Sequence, residues 1–378
     1  MNGLLNISLK LLANDKGKFS TLIMGITFAV FLMTQMTSVF SGIMNRASAN
    51  IINVGAKVWV MDPSVNIQSD NIPIPDYVLD LVRSLKGVKY AVPIYIGSGL
   101  IKLNTGTYQS VSVIGLDDAT LVGRPKLLKG NIMNIFNNDG YIVIDDSEYA
   151  KLNSPKLGDT FEINDHRGVV TGIGKAVLAG LFGTPTLYTT YTRAISDLPS
   201  MRFTISYILV EPKKLSDIPY IKQAVKNSGY VALTDQEFIT KNTNYYLTKT
   251  GLGTNVLIMM LISFIVGLSI AGQTFYTFVL ENLDKFAALK AMGAKRRELI
   301  HMILFQATIV GFLGYGFGVF LSSIMIALAK LRLPNYASLV TYQTLATSFF
   351  MVILIVAFSS YLGVRKVTRI EPFDIFRG

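Results

Sequence analysis

The chain has 378 residues, of which 51% are hydrophobic and 16% charged, and its mean hydropathy is +0.43. A soluble domain carries about 25% charge, so an ordinary soluble enzyme is excluded, and so is a charge-rich disordered chain. There is no cysteine, which removes disulfides, thiolate catalysis and cysteine-held zinc or iron–sulfur centres. The two histidines, His166 and His301, lie far apart in sequence and argue against a histidine-rich metal site. The formal net charge is +11, and its meaning depends on where the charges sit.

Residues 1–18 form a basic, amphipathic lead-in. Residues 19–40 contain no charge, and neither do residues 255–280. Residues 299–329 hold only His301, and residues 342–364 again hold no charge. A bilayer-spanning helix needs roughly 20 mostly apolar residues, so the chain is expected to cross a membrane four times. Ala47-Ser48-Ala49 resembles a leader cleavage site. The preceding apolar run is too long for a leader core of about 7–15 residues, and Ala49 lies well past its end, so the first span is read as retained.

Lys10, Lys16 and Lys18 precede span 1, and Lys285, Lys290, Lys295, Arg296 and Arg297 separate spans 2 and 3. Arg365, Lys366, Arg369 and Arg377 follow span 4, in a tail of residues 365–378. The loop between spans 3 and 4 has only Lys330 and Arg332. The positive-inside rule places both termini and residues 281–298 in the cytoplasm. The charge is then topogenic, with some attraction to membrane lipid, and no nucleic-acid partner is expected.

Residues 41–251 are left outside, as a polar region large enough for its own core. Residues 57–63 read as a strand, residues 75–86 as a helix and residues 88–103 as β-rich. Residues 108–115, 140–144, 160–163 and 169–173 read as strands, and residues 147–152 as a turn or two of helix. Residues 201–210 read as a strand, 213–228 as a helix and 231–233 as a closing strand. An α+β core of about 55–103 and 200–235 thus brackets a β-rich insertion of about 104–199, and the two strand–helix–strand ends can share one sheet with helices on one face. Residues 182–193 read as an exposed loop: an ordinary loop with partly buried aromatics is the plainer reading, and Phe182, Tyr188 and Tyr191 are candidates for contact with an external partner. The fold class is a four-helix membrane protein with a large α+β extracytoplasmic domain inserted between helices 1 and 2.

No recognisable chemistry accompanies this layout. Gly172-Ile-Gly-Lys-Ala176 fails the phosphate-binding loop pattern at Val169 and Ala176. Gly311, Gly314, Gly316 and Gly318 sit in an apolar span, where small residues let helices approach. Asp145, Asp146 and Glu148 read as a solvated turn before a metal site, and no nucleophile–base motif appears. The spans hold no Asp, Glu, Lys or Arg in their interiors, and Gln273, Gln306 and Gln343 are their main polar groups, which disfavours an ion-coupled carrier. No catalytic, cofactor or metal site is expected on this chain, and driving energy is expected from outside it.

Between spans 2 and 3, Leu283, Phe286, Leu289 and Lys290 recur at helical spacing, and Gly293 is a natural stop. This short helix is either a membrane-surface hairpin or a docking helix presenting Phe286, Leu289 and Met292. Its sequence, with Glu281, Phe286, Ala287, Leu289, Lys290, Ala291, Met292, Gly293 and Ala294, resembles the cytoplasmic motif of FtsX/MacB-type ABC transporter permeases, with Lys285 where an acid is usual. Residues 9–26 resemble that family's lead-in, Lys156-Leu-Gly-Asp159 resembles part of its external domain, and residues 369–377 resemble its closing segment. The resemblance covers essentially the whole chain and looks closest to the DevC-like branch.

That resemblance implies a homodimer bound to two ATPase subunits, which carry the ATP and magnesium. The chain itself is then not an enzyme. It implies transmission of ATP-driven motion to the external domain for export or extraction, with a HlyD/MacA-type adaptor and an outer-membrane duct in Gram-negative relatives. It further implies ATPase coupling through Glu281, Phe286, Ala287, Leu289, Lys290, Met292, Gly293 and Arg296, with Phe286 as an anchor in a groove of the ATPase. The alternatives are a non-transporting relay that controls a cell-envelope enzyme and a sensor without an ATPase.

Overall fold

The computed structural model describes residues 2–14, 16–103, 106–137, 139–177, 183–198, 205–333 and 336–368. The chain forms two units, a helical one (Met1–Gly42 with Leu252–Gly378) and a sheet-containing one (Ile43–Gly251). It begins with α1 (Asn2–Asn14) and α2 (Lys16–Ala47), and the unit boundary falls within α2.

The sheet unit starts with α3 (Ala49–Val54), β1 (Val58–Met61), α4 (Asp76–Ser84) and β2 (Val88–Lys102). α4 follows Pro75 and buries Val78, Leu79 and Val82 on one face, the spacing of an amphipathic helix. The middle of the unit holds β3 (Tyr108–Leu116), β4 (Lys126–Gly130), β5 (Gly140–Ile144), β6 (Thr160–Ile163), β7 (His166–Lys175), β8 (Thr186–Thr190) and α5 (Tyr191–Asp197). It closes with β9 (Tyr207–Pro212), α6 (Ile218–Asn227), β10 (Val231–Thr234) and α7 (Asp235–Thr248).

The two strand–helix–strand ends interleave. The sheet runs β10-β1-β9-β2, with neighbours antiparallel. α4 and α6 cover one face, where Val78, Val82, Ile221 and Val225 pack with Val58, Val60, Ile208 and Val210. The other face is also covered. There Ile51 and Val54 of α3 and Phe238 of α7 join Trp59, Met61, Tyr207 and Leu209. Trp59 is the centre of this layer, 5.5 Å from the ring of Tyr207 and 5.6 Å from that of Phe238.

The middle segment extends the same sheet. β2 is long enough to pair with β9 through Val88–Ile94 and with β3 through Ile94–Lys102, so the same sheet continues as β2-β3-β8-β5-β7-β4. The expected loop at residues 182–193 is corrected here. Thr186–Thr190 is an interior strand between β3 and β5, and Tyr191 opens α5. Three threonines, a leucine and a tyrosine make a fully buried strand without visible alternation, and Pro185 sits just outside it.

The remaining helices are α8 (Gly251–Glu281), α9 (Leu283–Ala291), α10 (Arg296–Arg332) and α11 (Tyr342–Thr368). α2, α8, α10 and α11 are long and apolar enough to cross a membrane. They pack through small residues. A methyl group added to Gly314 would lie 2.6 Å from Ile26, one on Gly318 2.5 Å from Val30, and one on Gly311 2.7 Å from Val356. Gly267 meets Ala29 in the same way at 2.8 Å, whereas Gly316 has open space. On the outer face of α8, Leu257, Ile258, Leu261, Ile262 and Ile265 are exposed, as a lipid-facing helix requires. α1 lies on α10: the Ser8 hydroxyl donates to the Met302 carbonyl at 3.1 Å, and Gln306 Nε2 donates to the Ser8 carbonyl at 3.0 Å.

Candidate coupling site

α9 is held between α8 and α10 by short, well-formed junctions. Asn282 is buried at the first junction, where its Nδ2 donates to the Phe278 carbonyl at 2.9 Å. Its Oδ1 accepts from Lys285 Nζ at 2.8 Å. At the far end Gly293 has φ +100°, a left-handed conformation that glycine adopts without strain. The Ala294 amide then bonds back to the Leu289 carbonyl (3.0 Å) and the Gly293 amide to the Lys290 carbonyl (3.1 Å), the paired bonds of a Schellman stop. α10 begins at once: Glu298 Oε2 accepts from the Lys295 amide at 2.7 Å.

This geometry fixes which face of α9 is free. Phe286 and Ala287 are fully buried in the helical unit's own core, with Phe278, Leu299, Ile303 and Val367 in the same cluster. Leu283 and Leu289 are partly buried against that cluster. The expectation that Phe286 is presented to a partner is therefore corrected: it points inward and fixes α9 to the bundle. Helical spacing alone cannot tell a face that meets the chain's own core from one that meets a partner. Met292 is 76% exposed, and Ala288, Ala291, Gly293, Lys295, Arg296 and Arg297 are exposed around it. Lys290 is half-buried. Glu281, at the end of α8, forms an ion pair with Lys18 near the start of α2 at 3.0 Å.

A second constellation joins the segments by which the chain enters and leaves the sheet unit. Asn242 of α7 is fully buried, and its Nδ2 donates to the Ala47 carbonyl (2.8 Å) and to Ser48 Oγ (2.9 Å). Its Oδ1 accepts from the Gln68 amide at 3.1 Å. Gln68 Oε1 in turn accepts from the Asn50 amide at 3.1 Å. The last turn of α2 is thus bonded to α7, the helix that precedes α8. A signal was present in the sequence: Phe238, Asn242 and Tyr246 recur at i, i+4, i+8, which puts one amide in an otherwise aromatic stripe.

The external candidates separate. Phe182 lies outside the described residues. Tyr188 is 1% exposed inside β8, where burial and the charge of Asp146 push its hydroxyl well above the usual tyrosine range. Tyr191 is half-buried, and burial pushes its hydroxyl up to about 12, helped by Asp76 and Asp118. Neither is displayed on a loop. Burial also raises the Asp146 carboxyl, while Glu148 is fully buried and paired with Lys151 at 2.6 Å. Gly172 and Gly174 lie within β7, where added methyl groups would press on Ile142 and Pro125 at 3.1 Å.

Residues 20–228 match a family model described as the MacB-like periplasmic core domain, and residues 257–372 match one described as the FtsX-like permease C-terminal. An uncharacterised ABC transporter permease of Mycobacterium tuberculosis is 24% identical, over 94% of this chain and 93% of that protein. A putative hemin transport system permease of Staphylococcus haemolyticus is 24% identical over 65% of this chain and 66% of its own length. Among solved structures, the periplasmic region of MacB from Actinobacillus actinomycetemcomitans matches at 15% identity and a TM-score of 0.37, covering 50% of this chain and 92% of that one.

Proposed function

Because the chain belongs to the FtsX/MacB-type ABC transporter permeases, we propose that it receives ATP-driven motion at α9 and passes it to the sheet unit to export or extract a substrate. On this reading the ATPase is a separate subunit, two copies of the chain work together, and α9 and both termini are cytoplasmic. The observation that carries the proposal is the two-sided build of α9: Phe286 is locked into the helical core while Met292 stands 76% exposed on the opposite side. A membrane-surface hairpin would also bury Phe286, so the test turns on whether exposed Met292 meets a subunit or lipid.

The roles follow from placement. Met292, with Ala288 and Ala291, offers a small apolar knob of the kind a groove accepts. Lys295, Arg296 and Arg297 would steer it toward an acidic rim. Phe286 transfers displacement of α9 to α8, α10 and α11, whose residues pack with it. The Lys18–Glu281 pair ties α2 to the end of α8, so the two helices that flank the sheet unit in sequence would shift together. Asn242 supports the next step, since it bonds the end of α2 to α7.

Affinity purification in nanodiscs, with mass spectrometry and a vanadate-sensitive ATPase assay, tests the reading. A P-loop subunit that co-purifies with the native chain and is lost with Met292→Asp is the expected result. Retention of that subunit by Met292→Asp would overturn the assignment of Met292, and no ATPase in any preparation would overturn the whole reading.

A further inference from the structure

The two ends of the sheet are built differently. At one end, β4 carries Lys126 and Lys129, finishes on Gly130 and slips register against β7 between Leu127 and Lys129. Charge and a bulge of this kind keep a free strand edge from pairing. At the other end, β10 pairs with β1 in an unbroken register from Met61↔Val231 to Val58↔Thr234. Val231, Ala232, Leu233 and Thr234 include no charge, proline, glycine or bulge.

What closes this second edge is a side-chain clasp. Lys222 of α6, on one face of the sheet, reaches Glu237 of α7, on the other face, at 2.6 Å. The second oxygen of Glu237 accepts from the Thr234 amide at 2.8 Å. That amide points away from β1, so by the alternation of an antiparallel ladder the backbone groups of Ala232 do too. Beneath the clasp runs an open groove of about 760 Å³, lined by Leu215, Ile218, Lys226 and Leu233 among others. Leu215 is 71% exposed, and Ala232 is buried at the groove floor.

We propose that this groove is a docking surface for an extended peptide segment with acidic residues two apart, which displaces Glu237 and adds to β10 as a further strand. The charge pattern selects this occupant. Lys222 and Lys226 stand one turn apart on α6, about 6 Å along its axis. Residues i and i+2 of a strand are about 6.7 Å apart on one face, so two such carboxylates meet both lysines. A main-chain carbonyl of the peptide takes over the Thr234 amide, and its intervening residues lie toward Leu233. The proposal stands independently of the coupling at α9.

The probe is a synthetic labelled octapeptide, Gly-Thr-Glu-Val-Glu-Val-Thr-Gly, added to the full chain in nanodiscs and followed by anisotropy and by amide exchange at residues 231–234. Binding that slows exchange of the Ala232 amide, tightens in Glu237→Gln and weakens about tenfold in the surface variant Lys226→Glu is expected. Three results would each overturn the proposal: equal binding of the same peptide with lysines for its glutamates, equal binding of its backbone N-methylated form, or no binding to either the native chain or Glu237→Gln. Concentration-dependent pairing of the chain through β10 without peptide would instead identify a second copy as the occupant and would also overturn it.

Discussion

The side-chain amide of Asn242 donates to the backbone carbonyl of Ala47 at 2.8 Å. These residues are 195 positions apart, and they stand on the segments where the sheet unit begins and ends in sequence. Among the described residues the Asn242 carboxamide makes three hydrogen bonds, all within this unit, which tie the end of α2 to α7.

Replacing Asn242 with leucine leaves the Gln68 amide and the Ala47 carbonyl unpaired in a buried place. Each orphaned group costs about 1–3 kcal/mol. The expected result is a lower melting temperature and faster amide exchange at residues 50–52. Under the proposed mechanism transport should fall more steeply than ATP hydrolysis. Equal loss of both would mean that Asn242 serves stability alone.

Phe286 and Met292 should respond in opposite ways. Phe286→Ala opens a cavity in the helical core and should cost about 3 kcal/mol, visible as a fall in thermal stability in detergent. Met292→Asp changes an exposed side chain and should leave stability within about 0.5 kcal/mol while abolishing ATPase co-purification.

Gly318→Val should clash with Val30 on α2 and cost about 1–3 kcal/mol, whereas Gly316→Val, on the open side of the same helix, should be tolerated. Thermal denaturation of the two variants checks the pair. Matching losses would contradict the packing of α2 on α10.

Asp146 gives a pH dependence with a defined sign. Burial raises its carboxyl in the folded chain, so the folded state holds a proton that the unfolded chain releases at lower pH. Its contribution is therefore most favourable below about pH 4 and declines as the pH rises through the folded value. Asp146→Asn keeps the Oδ1 that accepts from the Glu148 amide at 2.8 Å. It should raise the melting temperature at pH 7.5, with the gain vanishing at pH 4. A gain that persists unchanged at pH 4 would point to packing rather than charge.

Much of this fold was legible where pattern and environment agree. Val78, Leu79 and Val82 announced α4, and long uncharged runs announced the spans. α7 was missed although Thr234 and Glu237 form a capping box at its start, because Thr, Asn and Tyr dilute its apolar stripe. β8 was misread because a strand buried on both faces shows no alternation. At the candidate coupling site the helix and its glycine stop were legible, but the direction of Phe286 was not. Burial against α10 and α11 is a tertiary fact, and the spacing of Leu283, Phe286 and Leu289 is the same whichever way the stripe faces. Asn242 illustrates a different limit: its partners at Ala47, Ser48 and Gln68 are scattered, and no local window contains them.

The bond between Gln306 and the Ser8 carbonyl sets an order of events during synthesis. The donor is made 298 positions after the acceptor, in α10. α1 therefore cannot reach its seat while the first span and the whole sheet unit are being produced. Its docking follows the production of α10, so α1 is among the later parts of the helical unit to settle.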